Sequence, residues 1–236
     1  MRLAAATLAM LAAAAACTSA STTEPAAPAG VIARDVYAFD DAGAAIPGLV
    51  VEMRYFGSEN FVGRPIAGYE APICLLTREA VKSLAAVQER LNSLGLGLKV
   101  YDCYRPKRAV DDFAAWARDP KDQGRKADYY PAIDKSKLFD LGYIAERSGH
   151  SRGSTLDVTM INLRSGAEVD MGSPYDLFDP ISWPASTAIS NAARANRMLL
   201  QDTMIKASFR PLKEEWWHFT LNDEPYPETY FDFVVR

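Results

Sequence analysis

Apolar residues recur at helical spacing between Thr77 and Gly95 (TREAVKSLAAVQERLNSLG). Val81, Leu84, Val87, Leu91 and Leu94 share a face, Thr77 stands at the N-cap position and Gly95 supplies the stop. A second helix is expected over KRAVDDFAAWARDP, with Val110, Phe113 and Ala117 on one side and Pro120 as its limit. A third, longer one is expected from Ser186 to Phe209, capped by Ser186, with Ile189, Ala193, Met198 and Met204 on its inner face. Four stretches are rich in β-formers: GLVVEMRYFG (48–57), LGLKVYDCYRP (96–106), TLDVTMINL (155–163) and EEWWHFTL (214–221). In the second, alternation sets Leu98, Val100 and Asp102 against Lys99, Tyr101 and Cys103. Lys121–Pro131 is polar and is expected to be a loop, RSGAE a turn. There is no internal repeat and no regular βαβ rhythm. The expected fold is a single α+β domain, with helices flanking a mostly antiparallel central sheet.

Composition changes this picture little. The chain has 236 residues, 49% of them hydrophobic and 24% charged, with a formal net charge of -4. That suits one sizeable core, and the absence of a basic stripe argues against nucleic acid as a partner. The N-terminus does change it. Arg2 is followed by an apolar run from Leu3 to Ala16 and then by small residues. Residues 1–17 read as a secretory signal peptide, 18–30 as a flexible Pro/Ala/Ser/Thr linker, and 31–236 as the domain. The run is shorter than the ~20 residues a membrane span needs. Cys17 leaves two readings open: simple cleavage with release into a bacterial periplasm, or lipidation as a membrane-anchored lipoprotein. Cys74 and Cys103 are open between a disulfide and two buried thiols. Oligomeric state is not legible.

The chain has two histidines. His150 sits in a turn of small residues, SGHSRG, and Asp157 follows at the head of a β-branched run. A His and a carboxylate aimed at one point suit Zn²⁺; a solvated turn residue and an Asp engaged in turn chemistry would look the same. His218 shifts the balance. In EEWWHF a strand would turn His218 away from Trp217 and Phe219, which suit the core, and Glu215 stands three residues before it. A carboxylate beside a metal ligand is what a water-activating base requires. Arg105, ending the strand YDCYRP, offers a permanent cation for a developing oxyanion, or a surface partner for Asp102.

Taken together these residues resemble the zinc D-alanyl-D-alanine dipeptidases, within a wider group that includes D-alanyl-D-alanine carboxypeptidases and the hedgehog signalling domain. The wider pattern, Ser-x-His-x-x-Gly-x-x-x-Asp followed by Glu-x-x-His, is met by Ser148, His150, Gly153 and Asp157, then Glu215 and His218. The likeness extends to RYFGSENFVGRPIAGYE (54–70), YDCYRPKRAV (101–110), MGSPYD (171–176) and DEPYPETYFDFVV (223–235). It implies one Zn²⁺ per chain, seated on the sheet and held by His150, Asp157 and His218. It also implies Glu215 as general base and then acid, Arg105 as the oxyanion partner, and Tyr55, Ser148 and Asp176 lining a small substrate pocket, with Asp176 toward the substrate's ammonium. The sequence departs at Thr155, where the family commonly has Ala; Gly149 is a further small residue that sets the stiffness of the loop.

The implied reaction is hydrolysis of the D-alanyl-D-alanine dipeptide by metal-activated water, in cell-wall peptide turnover or glycopeptide resistance. A D,D-carboxypeptidase acting on longer wall peptides would share the metal centre. A non-catalytic zinc-binding module is the third reading, and the joint presence of Glu215 and Arg105 counts against it.

Overall fold

The Val81–Leu84–Val87–Leu91 stripe forms the inner face of a helix over Arg78–Asn92, with all four side chains buried. Gly95 ends it with a φ of 74°, while Leu94, just past the helix, is exposed. Thr77 precedes the helix but does not cap it through its side chain: its Oγ1 meets Ser154 Oγ at 2.8 Å. The computed structural model describes residues 33–236. The proposed signal peptide and linker, Cys17 among them, lie outside the described residues.

In chain order the elements are α1 (Ala33–Val36), β1 (Phe39–Asp41), α2 (Ala42–Ala45), β2 (Val50–Val51), β3 (Leu75–Thr77), α3 (Arg78–Asn92), β4 (Leu96–Asp102), α4 (Lys107–Arg118), α5 (Lys126–Tyr129), β5 (Thr155–Asn162), α6 (Asn191–Lys206), β6 (Phe209–Pro211) and β7 (His218–Leu221). β1 and β3 pair as a small antiparallel ribbon. The main sheet has the order β2-β4-β5-β7-β6. It is mixed, which corrects the expectation of a mostly antiparallel sheet: β2 runs parallel to β4, and the chain returns between them through α3. A parallel neighbour requires such a crossover. β2 is only two residues long and offered no rhythm from which to read it. No helix among the described residues is long and apolar enough to cross a membrane.

Three other expectations are corrected. The long third helix starts at Asn191, capped by Ser190, whose Oγ accepts from Ala193 N at 3.0 Å. Its buried face is Ala193, Arg197, Leu200, Thr203 and Met204, and Met198 is 67% exposed. The EEWWHFTL segment is strand only from His218; Glu215–His218 is a turn, with His218 N directed to Glu215 O at 3.5 Å. The polar stretch 121–131 contains the one-turn helix α5.

A bulge decides where the site lies. Val100 pairs with Val158 and Asp102 with Asp157, so one step on β5 is matched by two on β4, with Tyr101 as the extra residue. Residues opposite one another in a ladder share a face. Leu98 and Val100 therefore join Met160 and Val158 on one side, while Asp102 is turned onto the side of Asp157. Simple alternation keeps Asp102 beside Val100 and puts it on the wrong face.

The C-terminal tail packs as aromatic cover. Phe231 and Val235 are fully buried, Phe231 N bonds Ser151 O at 2.9 Å, and Tyr226 Oη donates to Tyr37 O. Cys74 and Cys103 are joined in a disulfide, which closes a loop of sequence separation 29. Chain-entropy arguments put such a closure at roughly 3–4 kcal/mol.

Candidate metal and active site

Three adjacent strands and one turn build the site. Asp157 on β5 is paired in register with His218 on β7 and with Asp102 on β4, so the three side chains lie in a row across the sheet. His150 arrives from above, on a 3₁₀ turn over Gly149–Arg152. Ser148 caps that turn, its Oγ accepting from His150 N at 3.3 Å, and Gly153 ends it with a φ of 80°. A Cβ at Gly153 would lie 2.2 Å from the Phe39 ring. Gly153→Ala is therefore expected to cost about 2–5 kcal/mol, the sum of left-handed strain and overpacking. Urea denaturation of the metal-free protein measures it, and a loss below about 1 kcal/mol would show that Phe39 gives way.

Thr155 and Gly149 explain one another. Thr155 Oγ1 hydrogen-bonds Thr220 Oγ1 at 2.9 Å across β5 and β7, and a Cβ on Gly149 would come within 2.9 Å of the same Thr155 oxygen. The Thr155 hydroxyl fills the space the glycine leaves, and the turn keeps its place above Asp157.

Among the described residues, His150, Asp157 and His218 form the cluster whose ligand atoms could share one metal ion. His150 Nε2 and His218 Nδ1 are 3.2 Å apart, and each lies 3.2–3.3 Å from Asp157 Oδ1. Tetrahedral donors at roughly 2.0–2.1 Å from an ion are separated by about 3.3 Å. Asp157 Oδ1 is buried and accepts no hydrogen bond of good geometry, an isolation unusual for a buried carboxylate oxygen. On these observations the residues fit a metal ion.

Outer contacts orient each donor. His150 Nδ1 donates to the Cys103 carbonyl at 2.8 Å, which leaves Nε2 as the acceptor facing the cluster. Asp157 Oδ2 receives the Tyr175 hydroxyl at 3.0 Å and has Arg105 Nη2 at 3.8 Å. Burial opposes ionisation of Asp157, but His150 and His218 hold it well below the usual carboxylate range. Arg105 does pair with Asp102, as one reading had it, but Asp102 is fully buried and Arg105, 13% exposed, faces the cavity rather than the outer surface. Its Nε lies 2.9 Å and its Nη2 2.8 Å from Asp102 Oδ2, and the guanidinium lies over the rings of Tyr55 and Phe113. Tyr69 Oη donates to the other Asp102 oxygen at 2.5 Å.

A cavity of about 280 Å³ opens over this cluster, and all eight of the expected metal, catalytic and substrate-binding residues line it: Tyr55, Arg105, Ser148, His150, Asp157, Asp176, Glu215 and His218. Its near wall is the 142–147 segment rather than 121–131. Glu215 Oε2 is 3.4 Å from His218 Nδ1. Tyr55 Oη donates to Asp176 Oδ2 at 2.9 Å and lies 3.2 Å from the Tyr175 hydroxyl. Sequence reasoning missed Tyr175 as a partner of Asp157, although it precedes Asp176 in MGSPYD, and it missed Tyr69; neither carries a local signal.

Burial lowers the basicity of His218, but its contacts with Asp157 and Glu215 outweigh this and push it up to about 9. The metal-free protein therefore carries a proton on His218 at neutral pH, whereas a ligating imidazole must be neutral. Metal loading at pH 7 is expected to release about one proton, with affinity rising about tenfold per pH unit and levelling near pH 9. Calorimetry in buffers of different ionisation enthalpy counts the proton; a pH-independent affinity between 6 and 8 would contradict it.

A structural metal site closes with four protein ligands, whereas here three donors face a solvent cavity with the Glu215 carboxylate on its wall. That arrangement suits a catalytic metal site, as in metallohydrolases. Comparison with known proteins narrows the class: residues 35–236 match the M15 peptidase family model described as D-ala-D-ala dipeptidase, and the chain belongs to that family. It is 43% identical over 190 residues to the D-alanyl-D-alanine dipeptidase of Streptomyces coelicolor, covering 80% of this chain and 94% of that protein. The Enterococcus faecalis dipeptidase is 42% identical over 184 residues (78% and 91%), and that of Escherichia coli 30% over 181 residues (77% and 83%). Among solved structures, the zinc complex of the vancomycin-resistance D,D-pentapeptidase VanY aligns at a TM-score of 0.38 and 12% identity, over 63% of this chain and 74% of that one.

Proposed function

We propose that this chain is a zinc enzyme that hydrolyses D-alanyl-D-alanine to two D-alanines. One observation carries the proposal: the His150–Asp157–His218 cluster opens, with Glu215 beside it, into a cavity of about 280 Å³. That lies at the low end of the roughly 300–1,000 Å³ of ordinary small-molecule sites and suits a small substrate such as a dipeptide. Two imidazoles and one carboxylate with an open fourth side are the donors of catalytic zinc. When bound, the ion supplies Lewis-acid polarisation and lowers the pKa of water at the site.

The chain's own groups do the rest. Glu215 takes the proton of the attacking water and returns it to the leaving amine. Arg105 is anchored to Asp102 through Nε and Nη2, and its Nη1 makes no hydrogen bond among the described residues, so it remains for the developing oxyanion. Ser148 Oγ already accepts from His150 N, which leaves its hydroxyl hydrogen for a substrate carbonyl or carboxylate. Asp176 seats the substrate's ammonium. Burial and the Asp157 charge hold its carboxyl well above the usual range, and an arriving cation favours its ionised form. Tyr55 Oη, donating to Asp176, fixes the carboxyl's orientation.

The proposal extends to location and role. The Arg2-led apolar N-terminus supports export, with the mature chain either free in the periplasm or held by a lipid at Cys17. There it would recycle wall-derived D-alanyl-D-alanine. The deciding assay sets zinc-loaded protein against D-Ala-D-Ala, L-Ala-L-Ala and a pentapeptide ending in D-Ala-D-Ala. Turnover of the first alone is expected. Preference for the pentapeptide would make it a carboxypeptidase, and inactivity on all three with stoichiometric zinc would make it a binding module.

A further inference from the structure

Helix α6 presents an arginine to the interior. Arg197 is 3% exposed and no carboxylate lies within ion-pair distance of it among the described residues. Burial pulls its guanidinium down to about 10, so it is still a cation at neutral pH. Asp170 offsets this only in part, from beyond ion-pair distance, and a buried cation so weakly balanced is costly unless its donors find partners. Nε donates to the Met171 carbonyl at 2.6 Å, Nη1 to the carbonyls of Ile181 at 2.9 Å and Trp183 at 2.8 Å, and Nη2 to Ser173 Oγ at 3.1 Å.

These acceptors flank one irregular segment, two at its start and two at its end. Between them lie Tyr175, bonded to Asp157, and Asp176, on the cavity wall. Asp176 has a φ of 59°. A residue with a side chain holds that left-handed conformation only where its surroundings over-determine it. Ser173 Oγ also accepts from Trp216 Nε1 at 3.0 Å and lies 3.0 Å from Ser182 Oγ, so the two ends of the segment meet at the same point the fork grips.

We infer that Arg197 is a positioning residue for the substrate pocket: its fork pins both ends of the Met171–Trp183 segment and thereby keeps Asp176 in the backbone conformation that presents its carboxyl to the cavity. The inference rests on the reading of Asp176 as the seat of the dipeptide's ammonium. That contact is made equally in ground and transition states, so loosening it raises KM and spares kcat. A guanidinium that only stabilised the fold would, when lost, lower activity, metal content and melting temperature together.

The test compares Arg197→Lys, which keeps the charge but not the planar fork, with wild type and with Arg194→Ala, an exposed change on the same helix. For zinc-loaded Arg197→Lys, KM for D-Ala-D-Ala is expected to rise about tenfold or more with kcat within about threefold. Metal content should be unchanged, and faster amide hydrogen exchange should be confined to residues 171–183. Arg194→Ala should show none of this. A fall in kcat at unchanged KM, or faster exchange throughout the domain, overturns the inference. If Arg197→Lys does not fold, Arg197→Gln removes both the buried charge and the fork while leaving Ser173 and its other bonds in place; a rise in KM with faster exchange at 171–183 is expected, and an unchanged KM overturns it. Should wild type itself fail to cleave the dipeptide, the dipeptidase reading falls alone; the exchange comparison still decides the clamp, with unchanged protection at 171–183 counting against it.

Discussion

Glu215→Gln is expected to lower kcat on D-Ala-D-Ala by about 10²- to 10⁴-fold, the usual worth of a positioned general acid–base, while metal stoichiometry and melting temperature stay close to wild type. The reason is where the carboxylate stands. The turn before β7 puts Glu215 on the cavity wall, 3.4 Å from His218 Nδ1, while three other atoms make up the converging donor cluster. Its side chain is 18% exposed, so water and substrate can both reach it. An amide of the same size keeps the packing and can neither take a proton from water nor deliver one to an amine. The change also removes one of the two carboxylates that hold a proton on His218. His218 should then titrate below about 9, so metal at neutral pH should bind no more weakly than before. Turnover is read from released D-alanine and metal content from elemental analysis of the same sample. A metal-replete variant retaining more than about a tenth of wild-type kcat would remove Glu215 from the base role.

The site was more legible than the fold, for a physical reason. Metal donors come from a short list of residue types, and this chain has two histidines, so SGHSRG and EEWWHF had to be weighed together. Topology depends on contacts that leave no local trace. The Tyr101 bulge turns Asp102 to the face of Asp157, yet nothing in YDCYRP distinguishes a bulged strand from a regular one. β2 ends after Val51, although Glu52 N and Arg54 N go on bonding the Val100 and Tyr101 carbonyls, because the ladder is broken opposite that bulge. Arg197 escaped for a different reason. An apolar stripe is read by skipping charges, and the carbonyls that satisfy this one lie 14 to 26 residues away in a loop. Reading α6 at positions 193, 197, 200 and 204 recovers the right face only once a buried arginine is admitted.

Asp157→Asn is expected to weaken metal binding by more than the roughly 10–100-fold that loss of an outer partner costs, and activity should vanish with it. Asp157 is the hinge of the cluster. Its Oδ1 lies 3.3 Å from His150 Nε2 and 3.2 Å from His218 Nδ1, and its Oδ2 takes the Tyr175 hydroxyl with Arg105 Nη2 at 3.8 Å. Asparagine fits the same volume but carries no charge. If its amide oxygen faces the histidines, its NH₂ is directed at the Arg105 cation. If it flips, its NH₂ meets the position a metal would take. In neither rotamer does it supply the charge that two neutral imidazoles leave to the carboxylate. The outcome separates ligand loss from unfolding because metal stabilises the native state in proportion to its affinity. Wild-type melting should rise on adding zinc and fall on adding a chelator, whereas at a zinc concentration just above that of the protein Asp157→Asn should shift far less between the two. A variant that still shifts with zinc as wild type does would show that Asp157 is not a ligand, whatever its activity.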